Sequence, residues 1–389
     1  MRNPLSDTIT AIPPSGIRKF FDIVGEMKDA ISLGVGEPDF DTPWHIRDEG
    51  IYSLERGQTF YTSNAGLKEL KIEICKYLER RFGVSYDYVN ECMVTVGGSE
   101  AIDIAFRAML NPGDEVLIPQ PSYVSYTPCT ILAGGVPVTI ELEEKDQFRL
   151  TKEKVLEKLT PKTKILVLPF PNNPTGSIME REDLEAIAEV VREHDLYVLS
   201  DEIYSELTYV GDHCTIASLP GMKERTVLIN GFSKSYAMTG WRLGYACAPE
   251  IILKQMLKIH QYAIMCAPTT SQYAAVEALK NGDEDVAEMR EAYNERRQYL
   301  VKAFRDMGMD CYEPQGAFYV FPSIKKFGMT SEEFAVKLLE QEKVAVVPGS
   351  AFGACGEGYL RISYAYSLKD LKRALARIER FIKTLETEE

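Results

Sequence analysis

The sequence predicts an α/β protein: a large domain on a mostly parallel seven-stranded sheet, with a smaller α/β domain after it. Two observations carry this. From about residue 92, short apolar runs rich in β-branched residues alternate with longer amphipathic stretches, the pattern of strands joined by helical crossovers. The chain has 389 residues, 45% hydrophobic and 26% charged, enough for roughly two domains with sizeable cores.

The first 45 residues are punctuated by Pro and Gly and hold one helical piece, "IRKFFDIVGEM" (17–27), so they read as an arm. "CMVTVG" (92–97), "EVLIP" (115–119), "VPVTIEL" (136–142), "KILVLPF" (164–170), "LYVLSD" (196–201), "TVLINGF" (226–232) and "LGYACAP" (243–249) read as seven strands. Helical patterns at 99–110, 122–133 and 182–194 fall between them, which implies helices on both faces of the sheet. Longer helical patterns follow at 251–264, 269–281 and 284–307, the last long enough to bridge domains. Thereafter "GAFYVFP", "VAVVP" and "YLRISYA" alternate with helical stretches 331–341 and 367–386. The expected division is 1–45 for the arm and part of the small domain, 46–285 for the large domain, and 286–389 for the small one.

A net charge of −14 argues against nucleic acid and anionic membrane surfaces as partners. No run approaches the roughly 18 apolar residues of a membrane span, and the N-terminus lacks the apolar core of a signal peptide. Eight cysteines occur with no C-x-x-C pair, which suits reduced thiols in a cytoplasmic protein. The four histidines show no zinc-site spacing, so no catalytic metal is expected.

Ligands of open parallel sheets bind beyond the carboxyl ends of the strands. After the first strand, Gly97, Gly98 and Ser99 open a helix, whose free N–H groups make an anion seat. After the fourth, "PNNPTGS" presents Asn173; after the fifth, "SDEIYSEL" presents Asp201 and Tyr204. After the sixth, "NGFSKSYAMTGWRLG" brings Ser233, Lys234 and Arg242. Taken singly, each also reads as a turn, a helix cap or a solvated side chain. Together they supply a phosphate seat, a carboxylate, an amide, a phenol, a lysine and an arginine at one sheet end. Pyridoxal phosphate would use all of them: condensation with its aldehyde removes the lysine's charge, and a carboxylate keeps its ring nitrogen protonated.

The run "GFSKSYAMTGWRLG", with "PNNPTG", "SDEIY", "LGVGEPDF" and "YLRISYA" at matching spacing, resembles the class I/II, fold-type I aminotransferase family over nearly the whole chain. Its wording is most similar to archaeal aromatic and aspartate aminotransferases. The resemblance implies pyridoxal 5′-phosphate as cofactor, with Lys234 as the lysine that joins it and the base that moves a proton between Cα and C4′. It implies Asp201 at the ring nitrogen, Asn173 and Tyr204 at the phenolic oxygen, and Tyr123 stacked on the ring. Gly98, Ser99, Ser233 and Arg242 would hold the phosphate, with Tyr61 reaching the phosphate of a neighbouring subunit in a homodimer. Arg361 would clamp the substrate α-carboxylate, a task suited to a planar guanidinium; on local pattern alone it reads as a solvent-facing position of an alternating strand. Gly36 would let backbone approach the same carboxylate, and otherwise is a turn glycine.

The implied activity is ping-pong transfer of an amino group from an amino acid to a 2-oxo acid. Dicarboxylate specialists of the family use an additional cation, and Lys254, Lys258 and His260 are not convincing by spacing. Aromatic donors (Tyr, Phe, Trp) with 2-oxoglutarate as acceptor are therefore favoured. The alternatives are an aspartate or broad-specificity aminotransferase, or a carbon–sulfur β-lyase of the same fold. About 30 residues precede "LGVGEPDF", too few for the DNA-binding domain of a regulator on this fold. No G-x-G-x-x-G follows a predicted strand, which argues against a nicotinamide dehydrogenase.

Overall fold

The computed structural model describes residues 2–14 and 29–388; the expected helix 17–27 lies outside the described residues. A short helix, Asp7–Ala11, precedes strand β1 (Ile31–Ser32), and helices Trp44–Glu55 and Lys68–Phe82 follow. None of the three helices was anticipated. In Lys68–Phe82, Leu70, Ile74, Tyr77 and Leu78 recur on one buried face. Gly83 then ends the helix in the left-handed conformation, φ 67°.

The large sheet holds β2 (Cys92–Thr95), β3 (Glu115–Gln120), β4 (Val136–Glu141), β5 (Thr163–Leu168), β6 (Tyr197–Asp201), β7 (Thr226–Gly231) and β8 (Gly244–Cys247). Their order is β2-β8-β7-β6-β5-β3-β4. Every pairing is parallel except those of β8, which runs antiparallel to both β2 and β7. The seven strands are those read from the sequence, within a few residues at each end. Central β7 is buried throughout, whereas edge strand β4 exposes Val136, Thr139 and Glu141. Asp201 pairs with Ile229 and Gly231 with Gly244, so the ends of β6 and β7 lie beside the start of β8.

Two boundaries depart from expectation for local reasons. The first crossover helix, Gly97–Met109, begins two residues early because Gly97 adopts φ 74°, a turn that glycine makes without a steric cost. The next, Tyr126–Leu132, begins later than expected. Ser122 N–H bonds the Phe352 carbonyl at 3.2 Å, which commits residues 121–125 to a turn at the sheet end.

Helices Glu250–Ala263, Thr269–Asn281 and the 24-residue Asp283–Asp306 follow, the last about 36 Å long. Strands β9 (Tyr319–Val320), β11 (Val347–Pro348) and β12 (Leu360–Ser363) form an antiparallel sheet in the order β11-β12-β9. Strand β10 (Val344–Ala345) pairs in parallel with β1 through Ile31 and Val344. Helix Ser331–Glu342 starts with a capping box of Thr330 and Glu333. The final helix, Leu368–Glu388, buries Leu371, Leu375, Ile378, Phe381 and Ile382 along one face. These residues share a core with Ile31, Leu33, Tyr293, Phe304 and Phe318, and also with Tyr204 and Leu207. Each large side chain buried there contributes roughly 1.5–3 kcal/mol.

Candidate active site

A cavity of about 490 Å³ opens where β5, β6 and β7 end and where β9 and β12 approach them. Of the residues singled out from the sequence, Gly36, Gly98, Ser99, Tyr123, Asn173, Asp201, Tyr204, Ser233, Lys234, Arg242 and Arg361 all line it. Tyr61 does not. It is 81% exposed, beside Phe60 at 79%, on a loop tied down where Thr269 Oγ1 donates to the Phe60 carbonyl (2.8 Å).

One end of the cavity is an anion seat. Gly98 and Ser99 lie in the first turn of Gly97–Met109, where backbone N–H groups have no intrahelical partner. A Cβ at Gly97 would lie 2.7 Å from Arg242 Nη2, and one at Gly244 would meet the Gly97–Gly98 backbone at 2.7 Å. Gly97 and Gly244 thus let the guanidinium, the helix start and β8 converge. Arg242 itself sits in the left-handed region, φ 53°, and donates from Nη1 to the Thr239 carbonyl at 2.9 Å. Glu100, in the same first turn, has both carboxylate oxygens engaged. Oε2 accepts from Val96 N–H at 2.5 Å, and Oε1 lies 2.6 Å from His260 Nδ1.

The floor carries Asp201 at the end of β6. Tyr126 O–H donates to its Oδ2 at 2.7 Å and Ile203 N–H to its Oδ1 at 3.3 Å. Burial raises the carboxyl's pKa, partly offset by those two bonds. It has no ion-pair partner among the described residues, so a bound cation would relieve its burial. Tyr204 follows, immediately before the 3₁₀ turn Ser205–Leu207, its hydroxyl 2.9 Å from that of Tyr319.

Lys234 projects inward, with Nζ donating to the Gly36 carbonyl at 2.5 Å. Burial pulls its pKa down to about 8; Glu37 opposes the shift, while Arg361 and Arg242 add to it. The neutral amine is thus accessible near physiological pH, as condensation with an aldehyde requires. Arg361, also lining the cavity, is 3% exposed, so the solvent-facing reading of its strand is wrong: β12 is buried on both faces. Its guanidinium carbon lies 4.6 Å from the Tyr319 ring centroid and 4.8 Å from that of Phe352. Nη1 donates to Asn173 Oδ1 at 3.0 Å, Nη2 donates to the Gly34 carbonyl, and Nε is buried without a partner. A Cβ at Gly36 would lie 2.3 Å from Tyr319 Oη, so the position demands glycine through contact with the site rather than through a turn.

Tyr126 and Tyr319 were missed in the sequence. Tyr126 stands three residues after Tyr123, but Tyr123 precedes the helix that Tyr126 opens, so the spacing signals no shared helix face. Tyr319 lies inside the apolar run "GAFYVFP" and carried no signal either. Lys254 pairs with Glu250, Lys258 bonds Gln255, and His260 is buried against Glu100; none lines the cavity. No group of three or more His, Cys, Asp or Glu among the described residues is placed to hold a metal. No helix among them is long and apolar enough to cross a membrane.

The donor set fits a phosphorylated pyridine aldehyde: an anion seat at one end, a buried carboxylate without a cation, and an inward amine of depressed pKa. Class membership follows from the comparisons. The pattern of the family described as "Aminotransferase class I and II" matches residues 28–378, and the chain belongs to that family. It is a pyridoxal-phosphate-dependent transaminase of fold type I. The Bacillus subtilis (strain 168) protein YugH is 55% identical over 98% of this chain and 99% of its own. An aspartate aminotransferase of Pyrococcus abyssi (strain GE5 / Orsay) is 47% identical over 97% and 98%. The crystal structure of an aromatic aminotransferase from Pyrococcus horikoshii OT3 superposes with a TM-score of 0.91, at 46% identity over 95% and 99% of the two chains.

Proposed function

We propose that this transaminase takes its amino group from an aromatic amino acid and passes it to 2-oxoglutarate in ping-pong fashion. The observation behind this is the cation inventory of the cavity. Among the described lining residues the cations are Lys234, Arg242 and Arg361. Arg242 serves the phosphate, Arg361 the α-carboxylate and Lys234 the aldehyde, which leaves none for an acidic side chain. The wall that remains includes Ile102, Tyr123, Ile203 and Tyr319, which suits an apolar or aromatic side chain. An aspartate preference is the second reading, favoured by the name of the Pyrococcus abyssi relative.

Pyridoxal phosphate, when bound, supplies an aldehyde for amines and a protonated ring that accepts electron density from the substrate Cα. The chain's own residues do the rest. Lys234 Nζ would hold the aldehyde carbon and, as a free amine, would move a proton between the substrate Cα and C4′. Asp201, with Tyr126 behind it, keeps the ring nitrogen protonated. Asn173 and Tyr204 donate to the phenolic oxygen, Tyr123 covers the ring, and Gly98, Ser99, Ser233 and Arg242 hold the phosphate. Gly36 and Arg361 fix the carboxylate.

We read residues 46–285 as the large domain, and 286–389 with the 1–45 arm as a small domain that closes over substrate. The contact of Gly36 with both Lys234 and Tyr319 supports a role for the arm in that closure. The assembly is proposed as a cytoplasmic homodimer with Tyr61 reaching the partner's phosphate. Phe60, Tyr61 and Tyr262, all about four-fifths exposed or more, suit burial in such an interface.

Steady-state rates with tyrosine, phenylalanine, aspartate and alanine test the donor assignment; a higher kcat/KM for aspartate overturns it. The acceptor half shares the 2-oxo carboxylate that Arg361 reads. The cation inventory does not favour its distal carboxylate, so a comparison of 2-oxoglutarate with pyruvate tests that half separately.

A further inference from the structure

Tyr319 joins two parts of the site that the reading above treats separately. It sits on β9, beside β12, which carries Arg361, and is 1% exposed. Its ring lies against the Arg361 guanidinium at 4.6 Å, its hydroxyl is 2.9 Å from that of Tyr204, and the same oxygen blocks any side chain at Gly36. One phenol therefore touches the carboxylate clamp, the arm and the Tyr204 hydroxyl at the sheet end.

We infer that Tyr319 is a positioning residue: it donates its hydroxyl proton to Tyr204, leaving the Tyr204 proton for the phenolic oxygen of the cofactor. This rests on the proposed role of Tyr204. The direction follows from that role. If Tyr204 donates to the cofactor, its oxygen is free to accept, and Tyr319 O–H lies within bonding distance of it. Hydrogen bonds in series strengthen one another, so Tyr319 makes Tyr204 a stronger donor. Because β9 packs with β12, movement of these strands relative to the large sheet would make or break this bond. The carboxylate clamp and the cofactor's electronic state are thereby linked.

The test is a pH titration of holoenzyme absorbance in the wild type, Tyr319→Phe, Tyr204→Phe and the double variant. A weaker donor leaves more negative charge on the phenolic oxygen, which holds the proton on the neighbouring Lys234 nitrogen more tightly. The midpoint in Y319F is therefore expected to rise by about half to one pH unit, the scale of one hydrogen bond. Donor KM should change little, because the ring beneath Arg361 is retained. In the Y204F background the same change should have no further effect. An unshifted midpoint in Y319F, or an equal shift in both backgrounds, overturns the inference. If Y204F itself leaves the midpoint unmoved, the site reading fails instead. If Y319F does not yield folded holoenzyme, Tyr319→Leu, which also removes the hydroxyl and adds no bulk to this buried position, carries the same comparison. Its midpoint must rise in the Tyr204 background and stay put in Y204F.

Discussion

Replacing Arg361 separates charge, geometry and packing at the carboxylate clamp. The wild-type guanidinium is anchored by Asn173 and the Gly34 carbonyl and held between the Tyr319 and Phe352 rings. This leaves it pre-oriented, with Nε buried and without a partner. Arg361→Lys keeps the charge but loses the planar fork, hence one charge-assisted bond to the substrate, about 1.5–3 kcal/mol. At about 1.4 kcal/mol per decade, kcat/KM falls roughly 10- to 150-fold. Arg361→Leu leaves the incoming carboxylate buried and unpaired, about 3–5 kcal/mol, or roughly 10²- to 10⁴-fold. The loss should fall mainly on donor KM, because the carboxylate is bound in ground and transition states alike. Initial rates over a range of donor concentrations measure this, and holoenzyme absorbance reports that the cofactor is still bound. An Arg361→Leu variant within about fivefold of wild type in kcat/KM would refute the assignment.

Lys234→Ala should lower turnover by at least about 10²- to 10⁴-fold, the usual worth of a positioned general base; a stopped-flow trace at near-wild-type rate contradicts its role. Asp201→Asn should nearly abolish transamination yet raise the melting temperature of the cofactor-free protein at neutral pH. Burial raises the Asp201 pKa, so its stabilising contribution is full below its unfolded value and lost as pH climbs through the folded one. Differential scanning of stripped wild type and D201N checks this, and a lower melting temperature for D201N sinks it. His45 bonds Asp285 and Glu277 on two different helices. Burial lowers its pKa, but these bonds to Asp285 and Glu277 outweigh it, for a net rise. Its contribution is therefore complete below the unfolded value of about 6.5 and fades as pH passes the folded pKa. His45→Gln should melt earlier than wild type at pH 6 and converge with it at pH 9; a gap that widens with pH contradicts the sign.

Much of the large sheet was legible because its strands are short apolar runs bounded by turn residues, and burial on both faces makes such runs continuous. The antiparallel placement of β8 was not legible, since "LGYACAP" reads alike in either direction. Helix Trp44–Glu55 escaped notice because its buried positions are Ile46, Gly50 and Ser53; the last two carry no apolar signal. Helix Lys68–Phe82, by contrast, is legible in the helical spacing of Leu70, Ile74, Tyr77 and Leu78. Within the site, residues at strand ends could be listed from sequence. The burial of Arg361 could not, because it depends on Phe352 and Tyr319, which arrive from separate strands and turns. Tyr319 illustrates the same limit: its role comes from a neighbour 115 positions away.

The pairing of Ile31 with Val344 has a consequence for synthesis. Every strand of the large sheet has been translated by Cys247, while β1 still waits for a partner almost a hundred residues further along the chain. At about 5–20 residues per second, the growing polypeptide spends several seconds with its leading segment unmatched. Only near the end of translation can Gly36 settle over Lys234. The nascent enzyme is thus silent until its last elements emerge, and early termination would leave a formed sheet with an open, inert pocket.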